Sequence, residues 1–237
     1  MTEEFEGRDL SGAVFWGVDL SGARLRDVDL TGVAISHARV VDVDIDAYIE
    51  RVRINGVDVT DFVNEHDPWF PLRSVLRPPD PAQLGWSWAA LDDAWSDAVA
   101  RARALGEGRP HERVGGEWSF VETVRHLVMV LDKWFCLPVL GETSFAALAL
   151  ANTGSADFPW PGLDRSADPS LDEALAAWRV RWRRAGEQIG AMTGADLDRQ
   201  VEVLENGTAT VGDCVFTVFE EHFQHLRYAT RDLHLLG

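Results

Sequence analysis

Residues 117–135 read EWSFVETVRHLVMVLDKWF, the signature of a buried helix on which the architecture turns. Ser119 followed three residues later by Glu122 is a capping box, in which side chains and backbone satisfy each other's open hydrogen bonds at a helix start. Val121, Val124, Leu127, Val128, Leu131 and Phe135 then recur every three or four residues, the period of a helix with a buried face. The spacing predicts a helix to about Leu137. Upstream, Asp80 with Pro81 is an N-cap followed by proline at the first helical position, opening a helix to about Leu105. Ser170 with Glu173 repeats the capping box for a helix to about Met192, and Asp213 opens a fourth that runs almost to Gly237. Four helices of roughly 20 residues read as an up-down four-helix bundle, so the fold class is mainly α.

Upstream the pattern is different. Phe5, Leu10, Phe15, Leu20, Leu25, Leu30, Ile35, Val40 and Ile45 place a large apolar residue at every fifth position, with Gly12, Gly17, Gly22 and Gly32 two residues after some of them. Neither 3.6 nor 2 divides five, so the chain must turn a corner at each repeat, with the large residue pointing inward. This segment resembles a pentapeptide-repeat right-handed square β-helix, a solenoid with four repeats to each coil. Glu50 breaks the register, and Ile49, Ile54 and Val59 resume it out of phase. Nine units make only two coils and a remnant, so the solenoid is short. The domain division expected is a β-solenoid over 1–60 and a bundle over 67–237. Asp9, Asp19, Asp29 and Asp44 precede the inward positions and read as solvated faces.

The connectors are unequal. Residues 138–169 contain Pro138, Pro159, Pro161 and an exposed-looking FPWPG, a loop long enough to rim a site. Alternation around Asn206-Gly207 predicts a small hairpin with a two-residue turn before the fourth helix.

Composition narrows the function. The 237 residues include 46% hydrophobic side chains, enough for a core, and 39 acidic against 22 basic residues, a net charge of −17. Such a field repels phosphate backbones, which disfavours nucleic acid as partner. The longest apolar run, FAALALA, is far short of a bilayer span, so no membrane partner is expected. Two cysteines make no disulfide framework, and with an acidic start to the chain they fit a cytoplasmic location.

Among the seven histidines, His126, His222 and His225 fall on bundle helices with apolar neighbours on both sides. Glu221 and His225, four apart, share a face of the fourth helix with Val218 and Cys214. Burying a carboxylate and imidazoles costs several kcal/mol unless they pair or bind something. A divalent metal (zinc, nickel or similar) held by His126, Glu221 and His225 meets that need and leaves positions open, as catalytic sites do. His222 is the rival ligand, which would make an all-histidine triad. Glu221 pairing with Arg227 or Arg125, or Glu220 as the inward carboxylate, are the competing readings. Cys214 reads as core filler more than as a nucleophile.

Taken together, EWSFVETVRHLVMVLDKWF at 117–135 and EEHFQHLRYATRDLHLL at 220–236 resemble the first and last signature helices of DinB-like bundles, a fold shared with mycothiol-dependent maleylpyruvate isomerases and other thiol-dependent transferases. Many of these use three histidines, the last two spaced H-x-x-x-H; here the spacing is E-x-x-x-H, closer to the isomerase branch. The resemblance implies His126, Glu221 and His225 as metal ligands. It also implies mycothiol or another small thiol as cofactor, with a small-molecule electrophile as substrate. Arg227 and Arg231, in RYATRDL, would receive an anionic substrate or thiol at the pocket mouth. The expected function is a metal- and thiol-dependent transferase or isomerase. The alternative is a non-catalytic metal-binding or interaction scaffold with a solenoid docking face; a homodimer is compatible with either.

Overall fold

The computed structural model describes residues 3–5, 7–26, 28–151 and 160–237. The chain divides into two compact units, Met1–Asp46 and Ala47–Gly237, so the segment from Ala47 goes with the bundle.

In the first unit the repeat is written as turns. The N–H groups of Ala13, Ala23 and Val33 donate to the carbonyls of Leu10, Leu20 and Leu30 at 2.9, 3.0 and 3.1 Å. Gly12, Gly22 and Gly32 take φ of +73°, +75° and +75°, which glycine adopts without a Cβ clash. Asp9, Asp19 and Asp29 accept from the N–H of Ser11, Ser21 and Thr31 at 2.8–2.9 Å. These carboxylates therefore hold the turns rather than merely facing solvent. The expected burial of the apolar ladder is not found: its nine residues are exposed, from 43% at Leu10 to 76% at Ile35. Among the described residues of this unit no backbone hydrogen bond joins one coil to the next. Two coils have almost no interior layer, because each has a neighbour on one side at most.

The second unit begins with a hairpin, β1 (Arg53–Ile54) and β2 (Val57–Asp58), paired Ile54 to Val57 across Asn55-Gly56. Both turn residues have positive φ, 52° and 82°, as the two-residue hairpin turn requires. Short helices α1 (Thr60–His66) and α2 (Phe70–Arg73) follow. Arg73 pairs with Asp67 at 3.1 Å and lies over the Phe223 ring.

The bundle consists of α3 (Leu84–Ala104), α4 (Phe120–Leu131), α5 (Leu171–Ile189) and α7 (Val211–Leu236), with the one-turn α6 (Gly194–Leu197) between the last two. α3 packs against α5 and α7, and α4 packs against the same two. In α3 the buried residues Leu84, Trp88, Leu91, Trp95, Ala98 and Ala102 trace one stripe. Asp80 caps a 3-10 turn, Pro81–Gln83, ahead of it. α4 is buried on nearly every side, as a central helix must be. Its predicted extension to Leu137 becomes a π-helical turn, Asp132–Cys136. There the buried Asp132 accepts from Arg181 Nε at 2.5 Å and from the Ala146 N–H at 2.7 Å. Both predicted capping boxes, Ser119/Glu122 and Ser170/Glu173, are formed. α7 is capped by Thr210, not Asp213; Asp213 is the third helical residue of that capping box.

The predicted hairpin before α7 pairs β3 (Gln200–Glu202) with β4 (Thr208–Thr210), but the two-residue turn is corrected to a five-residue loop, since Glu202 opposes Thr208. Leu204–Asn206 form a 3-10 turn within it. Of FPWPG, Phe158 and Pro159 lie outside the described residues, while Trp160 is buried, edge-on to Phe145 at 5.0 Å. Among the described residues no helix is long and apolar enough to cross a membrane.

Candidate metal centre

α4 and α7 bring three donors together. Glu221 and His225 sit one turn apart on α7, with Glu221 Oε2 3.3 Å from His225 Nε2. From α4, His126 Nε2 comes within 3.7 Å of the same oxygen, and the two imidazole centroids are 4.8 Å apart. One ligand atom from each residue lies within 4.8 Å of the other two. Metal bonds of roughly 2.0–2.1 Å at tetrahedral angles set donors about 3.3 Å apart, so the spacing fits a first-row divalent ion.

Proton accounting reaches the same conclusion. His126 Nδ1 is 3.3 Å from the Leu150 carbonyl, which can only accept, so Nδ1 carries the proton. The Leu150 segment is itself fastened to α4: Arg125 Nε donates to the Leu148 carbonyl and the Leu150 N–H donates to the Arg125 carbonyl, both at 3.0 Å. Burial pushes the His126 pKa down, and the attraction of Glu221 only partly offsets it, so a second proton on the imidazole is disfavoured. For Glu221 burial acts to raise the pKa, but the neighbouring His126 and His225 imidazoles outweigh it and the net shift is downward. With its proton on Nδ1, a neutral His126 turns its Nε2 lone pair towards Glu221 Oε2, so both atoms are available to a divalent cation. The carbonyl behind Nδ1 is the usual second partner of a metal-binding histidine.

The rival ligand is placed elsewhere. His222 is fully buried; its Nδ1 donates to the Val218 carbonyl at 2.7 Å and its Nε2 accepts from Trp178 Nε1 at 3.2 Å. Its carbonyl accepts from Trp95 Nε1 at 3.1 Å. Both ring nitrogens are used, and burial pushes its pKa down to about 3, so His222 is a neutral core residue. Glu220 is bonded to Gln224 at 2.8 Å, away from the triad. Arg231 is held by Asp232 at 2.7 Å and by Glu117, and lies over the Tyr228 ring. Arg227 donates to Gln224 at 3.0 Å and covers Phe223. Burial pushes the Cys214 and Cys136 thiols up to about 11 and about 12, which leaves both protonated and unreactive. Asp132, Cys136 and Glu142 also converge, but Arg181 and Arg184 already neutralise the two carboxylates.

Sequence reasoning missed Leu150 and Trp118, and it offered Arg125 as an ion-pair partner of Glu221, whereas Arg125 Nε holds the Leu148 carbonyl. Trp118 lies against both imidazoles, its ring centroid 4.6 Å from that of His126 and 6.0 Å from that of His225. No local signal marks them, because each acts through a segment distant in the chain or through a backbone atom.

Two family models match the chain: pentapeptide repeats, in eight copies over residues 9–45, and the DinB superfamily over residues 90–229. Neither a curated protein nor a solved structure matches it significantly. Proteins of the DinB superfamily often bind metal, and the three donors fall inside the matched region. The match spans more than half of the sequence and covers the bundle that holds the donors, and on that ground the chain belongs to the DinB superfamily, with a pentapeptide-repeat segment ahead of its bundle.

Proposed function

We propose that the chain is a metal-dependent enzyme that uses a low-molecular-weight thiol, of the mycothiol type, in transfer, conjugation or isomerisation of a small electrophile. The observation that supports this most is the convergence of His126 Nε2, Glu221 Oε2 and His225 Nε2 from two helices, an arrangement that a divalent cation completes. His126, Glu221 and His225 would hold the ion. When bound, such an ion lowers the pKa of a thiol or water and supplies a nucleophile near neutral pH. The protein's own part is orientation and exclusion of water. The Leu150 carbonyl fixes the His126 tautomer, Arg125 fastens the loop that carries it, and the buried faces of α4 and α7 keep one side of the cluster dry. Solvent reaches the cluster at Glu221, whose side chain is 39% exposed against 6% for His126 and 17% for His225. An incoming molecule would meet the donors there.

The test is metal content of protein purified without a metal-binding tag, followed by turnover of activated alkenes and epoxides with mycothiol, bacillithiol, glutathione or cysteine. Wild type, a metal-stripped form and His126→Ala are compared. Rate that needs metal and thiol together is the expected outcome; no metal-dependent rate above His126→Ala with any thiol removes the enzyme reading.

A second reading, a non-catalytic scaffold docking through the repeat, is favoured by one observation, the exposed apolar ladder of the first unit. Metal uptake without turnover, together with capture of a partner that is lost when residues 1–46 are removed, would favour it.

A further inference from the structure

Trp118 immediately precedes Ser119, the cap of α4, so the capping box fixes its backbone while its indole reaches the ligand cluster. The ring is tilted 46° to His126 and only 17° to His225. It is half-buried, although nearby Trp95 and Trp178 show that this fold buries indoles completely where they serve the core. A second ring, Tyr228, stands edge-on to His225 at 6.3 Å and is 46% exposed. The two are linked through Arg231, whose guanidinium lies 5.4 Å from the Tyr228 ring centre and pairs with Glu117, the neighbour of Trp118. Arg231 also pairs with Asp232, so the cation best placed to receive an anion at this rim is already engaged by two carboxylates. What the rim offers beside the exposed edge of Glu221 is π surface, not free positive charge. Aromatic faces select flat partners by stacking, beyond the apolar area they cover.

We propose that Trp118 is the stacking surface for a flat, conjugated group carried by the molecule that enters the candidate metal centre, so that the substrate class is planar unsaturated or aromatic compounds rather than saturated chains or free carboxylates. This rests on the metal-and-thiol reading above.

The full-length protein loaded with Co²⁺ tests it. The cobalt visible spectrum is followed during titration with benzyl mercaptan and with cyclohexylmethanethiol, thiols of similar reach that differ in flatness. Wild type should prefer the flat thiol by roughly tenfold, and the preference should fall to about twofold in Trp118→Leu and survive in part in Trp118→Phe. Comparing variants cancels the intrinsic difference between the two thiols. Because Trp118 packs on both imidazoles, cobalt affinity is measured first for each variant and the thiols are titrated with the site fully loaded, so a change in metal affinity does not enter the comparison. An undiminished preference in a cobalt-loaded Trp118→Leu, or no preference in wild type, overturns the role of Trp118 and leaves the metal reading standing. A wild type that takes up no cobalt, or whose spectrum answers neither thiol, overturns the metal-and-thiol reading and this proposal with it.

Discussion

His222 and His225 are three residues apart on one helix, yet the bonds around them assign opposite duties. His222 spends both ring nitrogens on Val218 and Trp178, whereas the Nε2 atoms of His126 and His225 converge on Glu221. Substitution should separate the two. Replacing His126, Glu221 or His225 by Ala should lower divalent-metal affinity by at least the 10- to 100-fold that even outer-shell changes cause. His222→Ala should leave metal affinity nearly intact but lower stability by about 2–5 kcal/mol, because it opens a cavity and strands the Trp178 N–H. Metal titration and urea denaturation of the four variants check both halves. A His222→Ala protein that folds well and loses its metal would restore the all-histidine triad.

At the scale of the element, contacts between helices depend on small residues and on caps. A Cβ added at Gly186 of α5 would lie 2.3 Å from Trp88 Nε1, on the indole that stacks with Trp182 at 3.7 Å. In an open helix, Gly→Ala stabilises by about 0.5–1 kcal/mol. Here the clash reverses the sign, and Gly186→Ala should cost about 1–3 kcal/mol in chemical denaturation. The start of α4 carries a charge as well as a cap. Burial acts to raise the Glu122 pKa, but Arg113 and the Ser119 N–H outweigh it and the net shift is downward. A carboxyl whose pKa is lower in the folded state adds stability above its unfolded value of 4.5 and loses that addition as pH falls below it. Glu122→Gln should therefore cost about 1 kcal/mol at pH 7, with the gap to wild type closing as pH falls below 4.5. A gap independent of pH would mean that the hydrogen bonds of Glu122 matter and its charge does not.

For the whole molecule, the two compact units differ in what holds them. The bundle unit has a continuous core running from Leu76 to Leu233, and the repeat unit has turns, asparagine-free Asx-type caps and an exposed apolar ladder. A chain from Ala47 to Gly237 should fold cooperatively and keep metal affinity, because it contains every donor and all four long helices. Residues 1–46 alone should give no cooperative transition, since so few coils bury little surface. Circular dichroism during thermal unfolding of the two pieces checks this; a cooperative melt of the isolated repeat would show that its ladder finds cover without the rest of the chain.

What was legible in the sequence is what short-range physics encodes. The capping boxes at Ser119 and Ser170, the apolar stripes and the five-residue rhythm are set by residues within a turn or two of each other, and the E-x-x-x-H spacing puts Glu221 and His225 on one face of any helix. What needed the tertiary structure was every choice between equal local signals. Asn-Gly occurs twice, and only Asn55-Gly56 forms the two-residue turn; at Asn206-Gly207 the β3–β4 register leaves five residues to connect. Among His126, His222 and His225, all on bundle helices, Trp178, Trp95 and Leu150 decide which stay free to coordinate. The Leu150 carbonyl is invisible to residue type, and Trp118 reads as one more tryptophan until α7 is laid beside it. Local hydrogen bonds and periodicity select elements. Which side-chain atoms meet across them depends on long-range packing, whose partners lie from 24 residues away, as Leu150 does from His126, to 127, as His222 does from Trp95.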